Sequence, residues 1–320
     1  MLVYSLFLMK RKVVKHGPSS LIISLPSKWV KRHNVKGGDE LDVLEKQNSL
    51  EITTKALPKD LSVTIDITGL DRTSILVYLQ GMYRKGYDEI NVHFKNQKTK
   101  HFRKKKEVQV LSVIQNVITR FIGVEIVKQT KDFVQIRQIS EDSKKDFAVL
   151  MKRTGMLIIE AFEEFERCLK DNDDDTYPVE HHHMIVTKFI NYCMRLISKG
   201  AVKDTSDALT LYQIFAVLDK IMDLLKEAER DKARYNISFP KESVEIVSDV
   251  TEAMRVFHKF FFSKDLKLAY DLESRRDKIK QKIYAMKSDP KVLSIMVLFR
   301  EIPEFLQVLV ECRLRLDGEY

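Results

Sequence analysis

From Ser140 onward, apolar residues recur at three- and four-residue spacing in six long segments, and the two-residue alternation of strands disappears. The segments are Lys144–Lys170, Val179–Lys199, Ser206–Ala233, Lys241–Phe262, Asp265–Lys287 and Val292–Arg315. They are broken at Asp171–Pro178, Gly200–Thr205, Asn236–Pro240, Ser263–Lys264 and Ser288–Pro290, where glycine, proline and short polar residues stop a helix. Helices of this length joined by short breaks bury their stripes against one another. The order divides into two groups of three, so two tandem three-helix bundles are the economical architecture.

The residues before this region follow a different rule. Between 56 and 143, Leu61–Ile67 and Glu89–Phe94 read as strands, and Asp71–Lys85 reads as a helix capped by Asp71 and ended by Gly86. Val108–Phe121 is a second amphipathic helix, and Val124–Lys128 with Phe133–Ile139 forms a closing hairpin. The basic run Lys98–Lys106 between these elements reads as an exposed loop, with a secondary contact to a nucleic-acid backbone as its functional reading. The module is expected to act as a spacer or dimerisation block.

Arg11–Thr53 packs two strand pairs, a short helix and a glycine turn into about forty residues. Arg11–Lys15 and Leu21–Leu25 are β-branched runs split by Gly17-Pro18-Ser19-Ser20. Pro26 opens a helix over Ser27–Asn34, which stops before Lys36-Gly37-Gly38-Asp39. A second hairpin pairs Leu41–Leu44 with Leu50–Thr53 around Gln47-Asn48-Ser49. A unit this small buries too little surface to stand alone without a staple, a metal or a partner.

Val13, Gly17, Ser19-Ser20, the Leu25-Pro26 helix entry, Trp29 and Gly38-Asp39 stand in an order that resembles the AbrB/SpoVT family of DNA-binding domains. The resemblance implies a swapped-hairpin β-barrel, in which two chains interleave their hairpins, and hence an obligate homodimer on double-stranded DNA. The alternative is a small oligomerisation module with no DNA contact. MLVYSLFLMK, ahead of the domain, lacks a leading cation and a cleavage site and reads as an extension of the first strand. A start at Met9 instead would open on MKRKVVKHG, as such domains do.

Charge follows the same division. Residues 1–143 hold 25 Lys and Arg against 15 Asp and Glu, a net +10, whereas residues 144–320 hold 30 against 31. The basic part is the footprint of a region that meets polyanion. Lys10, Arg11, Lys12 and Lys15 flank the first strand, and Lys28, Lys31 and Arg32 lie on the helix. These seven are the candidate DNA-binding residues, acting on phosphates rather than reading bases. Three cysteines, Cys168, Cys193 and Cys312, have neither CxxC nor Cys/His spacing, which fits a reducing cytoplasm and argues against a zinc finger. No stretch reaches the ~20 apolar residues of a membrane helix, so no membrane insertion is expected.

Two acidic pairs stand at i, i+4 in the helical region. Asp219 and Asp223 lie beside Leu218, Ile221 and Met222, and Glu273 and Asp277 lie beside Leu272 and Ile279. Like charges one turn apart repel, and a shared cation removes the repulsion. The six-helix order and the segments Leu218–Asp223 and Glu273–Asp277 resemble the PhoU family, whose tandem three-helix bundles carry repeated E/D-xxx-D motifs that bind metal. That resemblance implies iron or another divalent cation at Asp219, Asp223, Glu273 and Asp277. The sequence departs from the motif at two of four places, His183–Thr187 and Arg300–Glu304. Ordinary ion pairing is the competing explanation, with Arg276 and Lys280 placed three residues from Glu273 and Asp277, and Lys226 beside Asp223.

These readings describe a multidomain α+β chain: a swapped-hairpin barrel head over 1–55, a small α/β linker module over 56–143, and an all-α PhoU-like domain over 144–320. The two resemblances together imply a cytoplasmic, dimeric transcription regulator of phosphate uptake. Its head holds DNA and its bundles sense a signal or dock phosphate-transport or phosphate-sensing proteins. The alternative is a PhoU-type adaptor of a phosphate transporter whose head serves only to dimerise. No phosphate loop, nucleophile elbow or general-base pair accompanies the acids, so no enzymatic activity is expected.

Overall fold

The computed structural model describes residues 10–46, 49–54, 61–171 and 178–318. Residues 1–8, expected to extend the first strand, and the turn at Gln47-Asn48 lie outside the described residues. The chain divides into two compact units, residues 1–59 and 60–320.

In the first unit β1 (Val13–His16) pairs antiparallel with β2 (Ser20–Ile23), in a register that sets Val13 opposite Ile23 and His16 opposite Ser20. Gly17 turns the chain at φ +75°, a conformation that costs a Cβ-bearing residue more than glycine. Pro26, with φ −65°, leads into α1 (Ser27–Arg32). The helix is two residues shorter than the expected Ser27–Asn34, because Asn34 leaves it for the left-handed region at φ 53°. Lys36 donates its backbone N–H to the Asp39 carboxylate (2.7 Å), closing the loop before β3 (Asp42–Lys46), which pairs antiparallel with β4 (Ser49–Thr53).

One chain therefore holds two separate two-stranded sheets, not a closed barrel. None of the described residues between 10 and 54 is buried. Leu21 is 71% exposed, Leu50 64% and Val13 60%, so the hairpins show water the apolar residues that other elements of the chain bury.

The second unit opens with an α/β module. Strands β5 (Ser62–Asp66), β6 (Glu89–His93), β9 (Val124–Gln129) and β10 (Phe133–Gln138) form a sheet in the order β5-β6-β10-β9, with β5 parallel to β6 and the other pairs antiparallel. Alternate residues, among them Ile65, Ile90, Val92, Val134 and Ile136, are buried. They share one core with Ile75, Leu79 and Tyr83 of α2 (Arg72–Arg84) and with Val113, Ile114 and Val117 of α3 (Val110–Ile118). Asp71 caps α2 as the sequence requires, accepting from the Thr73 (2.7 Å) and Ser74 (3.3 Å) amides.

The stretch expected as a basic loop is instead a hairpin. β7 (Lys98–His101) pairs antiparallel with β8 (Lys106–Gln109), and α3 accordingly begins at Val110 rather than Val108.

The helical body consists of α4 (Phe147–Asp171), α5 (Pro178–Ser198), α6 (Thr205–Tyr235), α7 (Lys241–Ser263), α8 (Leu266–Ala285) and α9 (Pro290–Arg315). All six lie within a few residues of the segments read from the apolar period. α5 packs on α4 and α6, α8 packs on α7 and α9, and α4 meets α7 as α6 meets α9, so the two groups of three share one core. No helix among the described residues is long and apolar enough to cross a membrane.

Candidate nucleic-acid interface and polar clusters

In the first unit all seven candidate DNA contacts, Lys10, Arg11, Lys12, Lys15, Lys28, Lys31 and Arg32, are exposed. None forms an ion pair with another described residue. Lys28, Lys31 and Arg32 stand at i, i+3 and i+4 on α1, one face of a helix. Lys31 and Arg32 also occupy the last turn, where their charge complements the partial negative end of the helix. Trp29 lies half-buried off that face, its ring 4.9 Å from the His33 ring. Lys10, Arg11 and Lys12 lie just ahead of the first strand, and Lys15 lies within it. The cations that the sequence marks are thus free to meet phosphates.

In the second unit the polar chemistry gathers along α5. His183, Thr187, Asn191 and Arg195 follow one another at four-residue spacing and all are buried. Arg195 has no exposed surface, and all five guanidinium N–H groups are placed. Nη1 donates to the carbonyls of Tyr87 (2.7 Å) and Tyr83 (3.3 Å), Nη2 to Asp88 (2.6 Å) and Gln138 (2.8 Å), and Nε to Asp142 (3.2 Å). The guanidinium lies 5.0 Å from the Tyr83 ring centroid. Lys199 adds a second cation on Asp88 and Asp142. Burial alone would raise the Asp88 pKa, but Lys199, the Leu61 amide and Arg195 outweigh it and hold the carboxyl below its ordinary range.

One turn toward the N-terminus, Asn191 accepts from Gln80 (2.7 Å) and from Arg84 Nε (2.7 Å), and donates to the Arg120 carbonyl (3.1 Å). Arg84 Nη2 continues to Asp219 (2.7 Å). At the far end of the stripe Lys226 donates to His183 Nε2 (2.7 Å) and to Asp223. His183, which stands where the first repeat departs from the acidic motif, also lies directly against Asp223, its Nε2 3.0 Å from the carboxylate.

The second acidic pair is organised likewise. Arg276 lies between Glu273 (2.9 Å), Glu304 (3.5 Å) and Asp277 (3.9 Å), and Lys280 reaches Glu304 at 2.8 Å. Glu304 thus joins the pair from α9, as a metal cluster would require. The charges that meet it, however, are the Lys280 ammonium and the Arg276 guanidinium, both from α8 itself.

These residues do not fit iron or another hard cation. Each of Asp219, Asp223, Glu273 and Asp277 faces an Arg or Lys, and no group of three or more His, Cys, Asp or Glu able to hold a metal occurs among the described residues. The metal-ligand expectation gives way, in this geometry, to ion pairing.

Sequence reasoning missed Arg84, Arg195 and Asp88. The four-residue spacing of His183, Thr187, Asn191 and Arg195 was the available signal, since polar residues in register on one helix face mark a polar contact. Their partners come from positions up to 112 residues away, which no local pattern shows.

A family model described as antidote-toxin recognition MazE, bacterial antitoxin, matches residues 14–60. The match runs from within β1 past the second hairpin to the end of the first unit, so the chain carries a MazE/AbrB-like domain of DNA-binding type there. No curated protein and no solved structure matches the chain.

Proposed function

We propose that the chain is a homodimeric, DNA-binding transcription regulator, in which the hairpins of two copies close into one barrel that seats the cations of Lys10–Lys15 and α1 on duplex DNA. The observation that carries this reading is the coincidence, within the segment matched to the antitoxin family, of uncovered apolar strands and unpaired basic residues. The first calls for a second chain and the second for a polyanion. The helical body, two groups of three helices built on one core, serves as the sensor or docking part. Its likeness to PhoU bundles extends the proposal to phosphate homeostasis in the cytoplasm, without the metal sites of that family and without enzymatic activity.

The test is a salt titration of duplex binding by the full chain. Replacing Arg11, Lys12 and Lys15 together by alanine should weaken binding and flatten the dependence of log K on log salt by about 2 to 3 for each head on the duplex, at roughly 0.9 for each phosphate no longer neutralised. Absence of duplex binding by the unaltered chain would favour the adaptor reading, in which the head only dimerises.

A further inference from the structure

We propose that the β7–β8 hairpin of the second unit is a second DNA-binding element, which holds the phosphate backbone of a duplex with Lys98, Lys100, Arg103, Lys104, Lys105 and Lys106 and lays Phe102 against its sugars. The inference rests on the reading of the chain as a DNA-binding regulator and adds a contact outside the matched head.

Four features of the hairpin converge. First, strand alternation sorts its side chains. Thr99 and His101 point inward and are buried, Thr99 Oγ1 donating to the Leu70 carbonyl (2.6 Å), while Lys98 and Lys100 point to solvent. Second, the tip Phe102–Lys106 is exposed throughout, and none of its four cations forms an ion pair with another described residue. Elsewhere in this chain long cationic side chains find carboxylates readily, as Arg153, Lys170 and Arg255 do. Third, Lys105 adopts the left-handed conformation, φ 48° and ψ 39°. Asparagine or glycine would sit there at lower cost, so the turn keeps a cation where backbone economy favours a smaller residue. Fourth, Phe102 is 69% exposed beside these cations, an apolar ring without an aromatic partner among the described residues.

Burial, together with the field of Arg72, Arg103, Lys104 and Lys106, pushes the His101 imidazole below its ordinary range. Asp71 and Glu107 line a crevice at the hairpin base with Lys98, Lys100 and Phe102; the tip cations do not line it.

Cations packed this closely repel one another, and a polyanion that brings its own array of phosphates relieves the repulsion while releasing counterions. The exposed ring adds apolar contact that deoxyribose and base edges accept. An anionic membrane also recruits basic loops. A single phenylalanine, however, is a weak anchor, and a duplex is already the ligand of the head.

The experiment compares the full chain with the variant in which Arg103, Lys104, Lys105 and Lys106 are alanine, on a mixed-sequence DNA duplex across a salt series. The variant should bind more weakly at low salt, with a log–log slope shallower by about 2 to 4. Phe102→Ala should leave the slope unchanged and weaken binding roughly five-fold, as expected when one apolar ring is removed. If the four-site variant melts early, the pair Arg103→Gln and Lys104→Gln gives the same reading with a smaller slope change, because both residues lie in the exposed turn. A wild-type slope retained in the variants that remove Arg103 to Lys106 or Arg103 and Lys104, with the unaltered chain binding duplex, overturns the hairpin assignment alone. No duplex binding by the unaltered chain overturns the head reading and this one together. Loss of binding to phosphatidylserine vesicles, with the duplex slope unchanged, assigns the hairpin to membranes and overturns it as a DNA element.

Discussion

Arg195 shows how one side chain ties a helix to a sheet. Its five donors span the Asp88 carboxylate beside β6, the Asp142 carboxylate in the loop after β10, a glutamine and two carbonyls of the α/β module, while its Cα belongs to α5. A guanidinium so fully desolvated is tolerated only because every N–H has an acceptor and the charge is balanced by Asp88 and Asp142. Arg195→Met keeps most of the volume and removes the charge, leaving two buried carboxylates to Lys199 alone. It should cost about 3 to 5 kcal/mol in a denaturant titration, the usual penalty for breaking one side of a buried pair. The same module gives a pH signature. Glu89 is held at about 2 by Arg137 and then Asn91, against an ordinary value of 4.5. A carboxyl whose folded pKa is depressed contributes its full stability above the unfolded value and loses it as pH falls toward the folded one. Asp88 acts in the same direction. The melting temperature should therefore hold steady above pH ~4.5 and fall between there and pH ~2, and Arg137→Ala should blunt that fall.

At the scale of elements, the acidic stripes on α6 and α8 decide between metal and ion pair. Asp219 is bound to Arg84 of α2, so Asp219→Asn removes the charge that satisfies a largely buried guanidinium. It should lower stability by about 1 to 3 kcal/mol. Added divalent or ferric ions should leave the melting temperature unchanged in both proteins, because a cation must first displace Arg84 or Lys226. A metal-dependent rise abolished by Asp219→Asn with Asp223→Asn would restore the metal reading. The same elements show what the sequence makes legible. The six helices were readable because each carries its own apolar period over many turns, and the α2 terminus because Asp71 and Ser74 are neighbours. The β7–β8 hairpin was not, since its inward residues are Thr99 and His101 set between lysines, and a strand without apolar alternation has no signature. The candidate DNA contacts were readable as local charge. The Arg84–Asp219 and Arg195–Asp88 pairs were not, because each joins residues more than a hundred positions apart.

At the scale of the molecule, the two units obey different thermodynamics. The second buries a continuous core that runs from Ile65 to Leu316, and its stability belongs to one chain. The first has no buried residue among those described, yet exposes Val13, Val14, Leu21, Ile22 and Ile23 on one hairpin and Val43 and Leu50 on the other. At roughly 25 cal/mol per Å² of apolar surface, covering these side chains is the main favourable contribution open to a unit so small. In the proposed dimer a second copy covers this surface, and folding of the head is then linked to protomer concentration. Ile22→Glu puts a charge into the face that two heads would share. In sedimentation equilibrium the full-length variant should run as a monomer at concentrations where the unaltered chain is dimeric, and duplex affinity should fall with it, because the cations of two heads no longer act together. The melting of residues 61–318 should not change, since Ile22 contributes nothing to that core. A variant that stays dimeric while keeping its DNA affinity would place the self-association surface elsewhere than on the hairpins and remove the swapped barrel from the proposal.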